Sequence, residues 1–83
     1  AAQAEGLAPD AARTLVVETI AGAARMLKEG GETATTLRQR VTSPNGTTQA
    51  ALEAFAAGGF AALVAAAVHA ARIRGAELSA AND

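Results

Sequence analysis

Alanine is so abundant in this chain that it limits the folds the chain can adopt. Of the 83 residues, 25 are alanine, whereas only 17 carry a bulky apolar side chain. Alanine has the highest intrinsic helix propensity, because it loses no side-chain entropy in a helix. Its burial contributes much less than the roughly 1.5–3 kcal/mol gained by burying a leucine or a phenylalanine. The sequence therefore predicts an all-α domain with too thin a core for a solitary monomer, and we expect it to pack against a second copy, a further domain or both.

Proline, glycine and capping residues divide the chain into about four predicted helices. Pro9 suits a first helical turn, Gly30-Gly31 suits a helix end, and Thr33 suits an N-cap. The predicted helices run from Pro9 to Gly30, from about 34 to 41, from Thr47 or Thr48 to Gly58-Gly59, and from Phe60 to about Leu78. Residues 1–8 are expected to be an incoming tail or the end of an upstream helix. No segment alternates with a period of two, so no strand is expected.

Composition excludes several classes of function. The chain has no cysteine and one histidine, which argues against disulfides and a zinc site. A net charge of −1 without a basic stripe, and only two phenylalanines, predict no nucleic-acid partner. The longest strongly apolar run, from Phe60 to Ala71, is too short to span a bilayer and is interrupted by His69, so no membrane partner is expected. No signal peptide is recognisable, so we expect a cytoplasmic protein; the start without methionine is compatible with a fragment.

The segment Val41–Thr48 carries the clearest chemical signal in the sequence. It reads Val-Thr-Ser-Pro-Asn-Gly-Thr-Thr and lies between the second and third predicted helices. Pro44 biases Ser43 away from helical angles, and Asn45-Gly46 is a turn pair that tolerates positive φ. The backbone amides that begin a helix lack intrahelical partners, and the helix dipole is positive there. The loop is therefore a candidate site for a carboxylate or a phosphate.

Other interpretations of these residues remain open. The loop could be an ordinary capped turn, because serine, threonine and asparagine cap many helices. It is not a P-loop, because no lysine follows the glycine and no strand precedes it. Ser43 lacks the surroundings of a nucleophile elbow. His69 is expected to be partly exposed or at an interface rather than a general base, because no carboxylate lies three or four residues away. Arg38 and Arg40 are more typical of solvated charges than of an anion site.

The chain resembles the C-terminal dimerisation domain of the pyrroline-5-carboxylate reductase family from about Gly6 to Leu78. The serine-proline-asparagine-glycine-threonine-threonine loop, in this order between these helices, is the most specific part of the resemblance. The matching segments are Gly6–Pro9, Glu18–Leu27, Leu37-Arg38, Val41–Thr48, Ala51-Leu52, Gly58–Phe60, Ala67-Val68 and Glu77-Leu78.

The resemblance implies a part of an oxidoreductase that reduces pyrroline-5-carboxylate to L-proline with NADPH or NADH. Such enzymes carry an N-terminal Rossmann domain for the nucleotide, followed by a helical domain that forms an interlocked homodimer and often larger assemblies. The implied substrate-binding residues are Ser43, Gly46, Thr47 and Thr48, which would hold the substrate carboxylate. Thr48 is also the implied catalytic residue, because its hydroxyl would lie near the ring nitrogen and help to protonate it.

The sequence departs from the family pattern in two ways. Asn45 stands where the family usually has glycine, although asparagine is the next most tolerant residue for αL geometry. The chain also lacks the G-x-G-x-x-G strand–turn–helix unit of a dinucleotide site. We therefore expect residues 1–83 alone to bind no cofactor and to be inactive.

Two alternative functions stay open at this point. One is a pure oligomerisation module that retains no site, which the helix-favouring composition also fits. The other is part of a different dehydrogenase with a helical C-terminal half, which fits the architecture but not the Ser43–Thr48 loop.

Overall fold

The computed structural model describes residues 1–82, and these form four helices joined by short connections. The helices are α1 (Pro9–Gly30), α2 (Ala34–Arg40), α3 (Thr47–Ala57) and α4 (Phe60–Asn82). Residues 1–82 contain no strand, so the predicted all-α class is confirmed. The chain divides into two compact units, Ala1–Val41 and the residues from Thr42 onward, which are described separately.

In the first unit, α1 begins and ends at the predicted residues. Pro9 opens the helix, where a missing amide hydrogen costs nothing, and Asp10 lies in the positively polarised first turn. Lys28 lies in the last turn, where a cation is favoured. Gly31 follows with a φ of 69°, the left-handed conformation that glycine adopts without strain.

Residues 1–7 have the hydrogen bonds of a helix C-terminus. The Gly6 amide donates to the Gln3 carbonyl at 3.0 Å, and the Leu7 amide donates to the Ala2 carbonyl at 3.3 Å. Gly6 has a φ of 105°, and this combination is the Schellman arrangement. The segment is therefore a hydrogen-bonded turn before α1, and residues 1–8 contain no helix.

The short helix α2 is stabilised at its first turn and beside its last turn by side chains. The Thr33 hydroxyl accepts a hydrogen bond from the Thr36 amide at 3.1 Å, so Thr33 is the N-cap, as predicted. Arg40 does not act as a purely solvated charge, since its guanidinium lies 2.8 Å from the Glu32 carboxylate. This ion pair joins the residue before the cap to the last residue of α2.

In the second unit, the connection before α3 is a tight turn with one left-handed residue. The Gly46 amide donates to the Ser43 carbonyl at 3.0 Å. Pro44 occupies the second position, and Asn45 occupies the third with a φ of 62°. Proline followed by a left-handed residue is the pattern of a type II turn. Asn45 therefore has the left-handed conformation that the Asn45-Gly46 turn pair was expected to allow.

Two glycines turn the chain between α3 and α4. Gly58 ends α3, and Gly59 has a φ of 76° that redirects the backbone. Across this corner the rings of Phe55 and Phe60 pack with centroids 4.7 Å apart at 43°. α4 continues to Asn82, so the predicted end near Leu78 was wrong. The next residues, Ser79-Ala80-Ala81, include no glycine or proline to stop the helix.

Within residues 1–82, no single helix has both the length and the apolar character needed to cross a bilayer. Taken together, α3 and α4 meet the length and composition criteria for a membrane span, but the pair is bent by 59° at the break between the two helices.

Most bulky apolar side chains are exposed in the single chain. Ala12 is the only buried apolar residue among those that the structure describes. Ile20 on α1 is 64% exposed, and Leu63 on α4 is 68% exposed. A shallow apolar groove of about 550 Å³ also runs between α1 and α2, where Met26, Leu27 and Leu37 line it. These surfaces agree with the thin core expected from the alanine content.

Removing the α2 cap should destabilise the first unit. We expect Thr33→Ala to lower the free energy of unfolding by about 1 kcal/mol, because the Thr36 amide loses its acceptor. Urea unfolding followed by circular dichroism measures this change. Thr35→Ala is the matched control, since Thr35 lies inside the same helix and should change stability little. Equal stability of the two variants would contradict the capping role.

The left-handed turn residue gives a second test. Asn45→Ala should lower the free energy of unfolding by about 1 kcal/mol, because left-handed angles cost an ordinary residue roughly 1–2 kcal/mol. Asn45→Gly should be at least as stable as the unaltered chain. Chemical denaturation of the three proteins provides the comparison, and an alanine variant as stable as the glycine variant would show that the turn is not left-handed in solution.

A candidate anion site at the start of α3

The candidate site lies entirely in the second unit, where the turn at Ser43–Gly46 leads into α3. Gly46 is the N-cap of the helix, and its φ of −87° and ψ of 178° are extended angles that any residue can adopt. Limited space favours glycine here instead. A Cβ at this position would lie 3.1 Å from the Ser43 carbonyl oxygen and 3.4 Å from the Ser43 Cβ. The turn can therefore close tightly onto the helix start.

A glycine N-cap leaves the first amides of α3 without a side-chain acceptor. The first helical hydrogen bond is donated by the Ala50 amide to the Gly46 carbonyl at 3.2 Å. The amides of Thr47, Thr48 and Gln49 precede that bond, and no side chain caps the helix within the described part of the chain. These donors point along the helix axis with the positive end of its dipole. The sequence predicted the helix start at Thr47 or Thr48, and α3 begins at Thr47.

Three residues close to these amides in the sequence carry hydroxyl groups. Ser43 and Thr47 are exposed, whereas Thr48 is partly buried. Each hydroxyl can donate one hydrogen bond and accept others. The predicted site residues Ser43, Gly46, Thr47 and Thr48 therefore belong to one turn and the first turn of the helix that follows it. This arrangement can offer several hydrogen-bond donors to a small anion.

Gln49 was missed by the sequence analysis, although it connects the turn to the helix. Its Oε1 accepts a hydrogen bond from the Asn45 amide at 2.7 Å. Its Nε2 donates to the Glu53 carboxylate at 3.0 Å, one turn further along α3. A glutamine three residues after an N-cap is half of the capping-box signal, and that spacing could have identified it. Here the side chain reaches back one residue beyond the N-cap.

The remaining candidate residues lie outside this arrangement. His69 is exposed on α4, which agrees with the expectation of a partly exposed histidine. Arg40, in the other unit, pairs with Glu32. Among residues 1–82, no three histidine, aspartate or glutamate side chains come together as a metal site would require.

Comparison with known proteins identifies the family to which this chain is similar. The family model described as pyrroline-5-carboxylate reductase dimerisation matches residues 1–78. The pyrroline-5-carboxylate reductase of Pseudomonas aeruginosa is 49% identical over 74 residues, which are 89% of this chain and 27% of that protein. Pyrroline-5-carboxylate reductase 1 of Bacillus subtilis is 46% identical over 68 residues, or 81% of this chain and 23% of the relative.

A mammalian relative gives the same result at lower identity. Pyrroline-5-carboxylate reductase 3 of the rat is 40% identical over 74 residues, which cover 89% of this chain and 27% of the relative. No solved structure matches the chain. The chain spans about a quarter of the length of these relatives. The match over residues 1–78 and these identities show that the chain belongs to the pyrroline-5-carboxylate reductase dimerisation family.

Proposed function

We propose that this chain is the dimerisation part of a pyrroline-5-carboxylate reductase and that its Ser43–Gln49 segment holds the carboxylate of the substrate. The reaction would be the reduction of the cyclic imine to L-proline with NADPH or NADH. The observation that carries the proposal is the uncapped start of α3 behind the Ser43–Gly46 turn, in a chain of this family.

The chemistry of the segment suits a carboxylate. The amides of Thr47 and Thr48 precede the first helical hydrogen bond, so both can donate to the two oxygens of one carboxylate. Hydrogen bonds to an ionised acceptor are about twice as strong as those between neutral groups. The Ser43 hydroxyl would donate a further bond from the other side of the turn. Holding the carboxylate in this way would fix the orientation of the ring.

Thr48 would also act at the ring nitrogen. Reduction of the imine adds a hydride to the ring carbon and leaves an amine nitrogen that needs a proton. Thr48 itself carries one of the uncapped amides, so a ring anchored there through its carboxylate would bring its nitrogen near the Thr48 hydroxyl. The Thr48 hydroxyl would transfer its proton to that nitrogen, and the Thr48 oxygen would take a replacement proton from water. We therefore assign Thr48 both a binding and a catalytic role.

The described residues do not fit the nicotinamide nucleotide. A dinucleotide site of the Rossmann type requires a strand, a glycine-rich turn and a helix. Residues 1–82 contain helices and their connections but no strand. In the proposed enzyme another domain would therefore bind the nucleotide, and the reduced nucleotide would supply the hydride.

The exposed apolar surfaces support a homodimer. Leu63 and Val68 on α4 are 68% and 64% exposed in the single chain. In the other unit, the groove between α1 and α2 is lined by Met26, Leu27 and Leu37. Apolar surface of this extent on a small chain is expected to be covered by a partner. A second copy of the chain would provide the burial that one copy lacks.

A module that only oligomerises is the alternative function. It would use the same apolar surfaces but would leave the start of α3 without a ligand. Titration of the chain with L-proline, followed by amide chemical shifts, separates the two. Shifts confined to residues 43–49 favour the carboxylate site, whereas unchanged shifts favour the oligomerisation module.

The site can be tested in a chimaera. Residues 1–78 would replace the matching segment of the Pseudomonas aeruginosa relative, which is 49% identical to this chain. We expect the chimaera to reduce pyrroline-5-carboxylate. Ser43→Ala should raise KM by roughly tenfold or more through loss of one hydrogen bond to a charged group, which is worth about 1.5–3 kcal/mol. Thr48→Ala should lower kcat about a hundredfold, the low end for loss of a positioned proton donor.

Conservative variants serve as controls for this experiment. Thr48→Ser keeps the hydroxyl and should retain most of the activity that Thr48→Ala loses. Thr35→Ala removes an exposed hydroxyl on α2 and should leave kcat and KM unchanged. Full activity in both Ser43→Ala and Thr48→Ala would refute the site assignment.

The homodimer has a separate test. In sedimentation at micromolar concentration, we expect the unaltered chain to be a dimer and Leu63→Arg to be a monomer with reduced helicity. The reason is that an interface covering Leu63 would have to bury an unpaired charge. Gln39→Arg, a change at an exposed polar position, should remain dimeric. A stable, folded monomer of the unaltered chain would contradict the proposal.

A further inference from the structure

We infer that Gln49 is a positioning residue for the carboxylate site, held in place by Glu53; this inference rests on the proposed function. Gln49 would not need to touch the substrate. Its side chain instead bridges the Ser43–Gly46 turn and the second turn of α3 through one hydrogen bond at each end.

The two partners of Gln49 fix the orientation of its amide group. The Asn45 backbone amide can only donate a hydrogen bond, and it lies 2.7 Å from Oε1 of Gln49. An ionised Glu53 carboxylate can only accept, and it lies 3.0 Å from Nε2. Rotating the Gln49 amide by half a turn would place donor against donor and acceptor against acceptor. Glu53 therefore selects the orientation in which Gln49 accepts from the turn.

This bridge acts at the most strained point of the site. Asn45 has a φ of 62°, a conformation that residues other than glycine seldom adopt. Tying its amide to a side chain of α3 restrains the turn in that conformation relative to the helix. The Ser43 hydroxyl and the amides of Thr47 and Thr48 would then keep a fixed spacing before a ligand arrives. Binding would lose less entropy on ordering the loop, which is the benefit of preorganisation.

The test uses the chimaera with the Pseudomonas aeruginosa relative. Gln49→Met keeps the length of the side chain but removes both hydrogen bonds. We expect KM for pyrroline-5-carboxylate to rise about fivefold, the value of one hydrogen bond, with kcat nearly unchanged. A purely structural defect would instead reduce the amount of active enzyme and leave KM as it was. Gln39→Met on α2 is the matched control and should change neither constant.

Glu53 provides a second, independent variant. Glu53→Ala should raise KM in the same direction but by less, because Gln49 keeps its bond to Asn45 with a freer side chain. The double variant Gln49→Met with Glu53→Ala should have the KM of Gln49→Met alone. Such non-additivity is expected when one residue acts through another. Independent effects of the two substitutions would overturn the role assigned to Glu53.

Hydrogen exchange separates this inference from the proposed function. In the unaltered chain the Asn45 amide should exchange more slowly than the uncapped Thr47 amide, and Gln49→Met should remove most of that difference. An unchanged KM in an active Gln49→Met chimaera, or an Asn45 amide unaffected by the substitution, would overturn the inference alone. Activity that survives both Ser43→Ala and Thr48→Ala would overturn the proposed function instead.

Discussion

The scarcity of bulky apolar side chains is the constraint on which this structure depends. Twenty-five alanines favour helices, but they supply little burial, and Ala12 is the only buried apolar residue among those described. Leu63 and Ile20 are mostly exposed. The helices therefore owe their boundaries to local signals, and their stabilisation by packing would come from outside the single chain. This accounts for a small chain that combines well-defined helix ends with open apolar faces.

The helix ends could be predicted from the sequence because each depends on only a few neighbouring residues. Helix α1 begins at Pro9 and is followed by Gly31, and Thr33 caps α2. Helix α3 begins at Thr47. All of these positions were expected from the residue types. The left-handed conformation of Asn45 also follows from the Pro-Asn-Gly order of the turn. These features depend on backbone preferences that the neighbouring residues do not override.

Features that depend on side-chain reach were not predictable in the same way. Glu32 and Arg40 are eight residues apart, and only the path of the chain into α2 brings them within 2.8 Å. The bond from Asn45 to Gln49 likewise requires the turn to be closed before the helix begins.

The end of α4 was predicted wrongly for a different reason. No glycine or proline marks the helix end at Asn82, so the prediction from periodicity alone placed the end too early. The binding and catalytic roles of Ser43, Gly46, Thr47 and Thr48 stay predictions.

The glycine N-cap of α3 has a thermodynamic consequence. With Gly46 as N-cap, α3 forgoes roughly a few tenths of a kcal/mol that a serine or asparagine cap would contribute. A bound anion would take the place of the missing cap, and any ligand that binds only the folded chain stabilises it by mass action. Folding and occupancy would then be linked, so that the helix is most stable when the ligand is abundant.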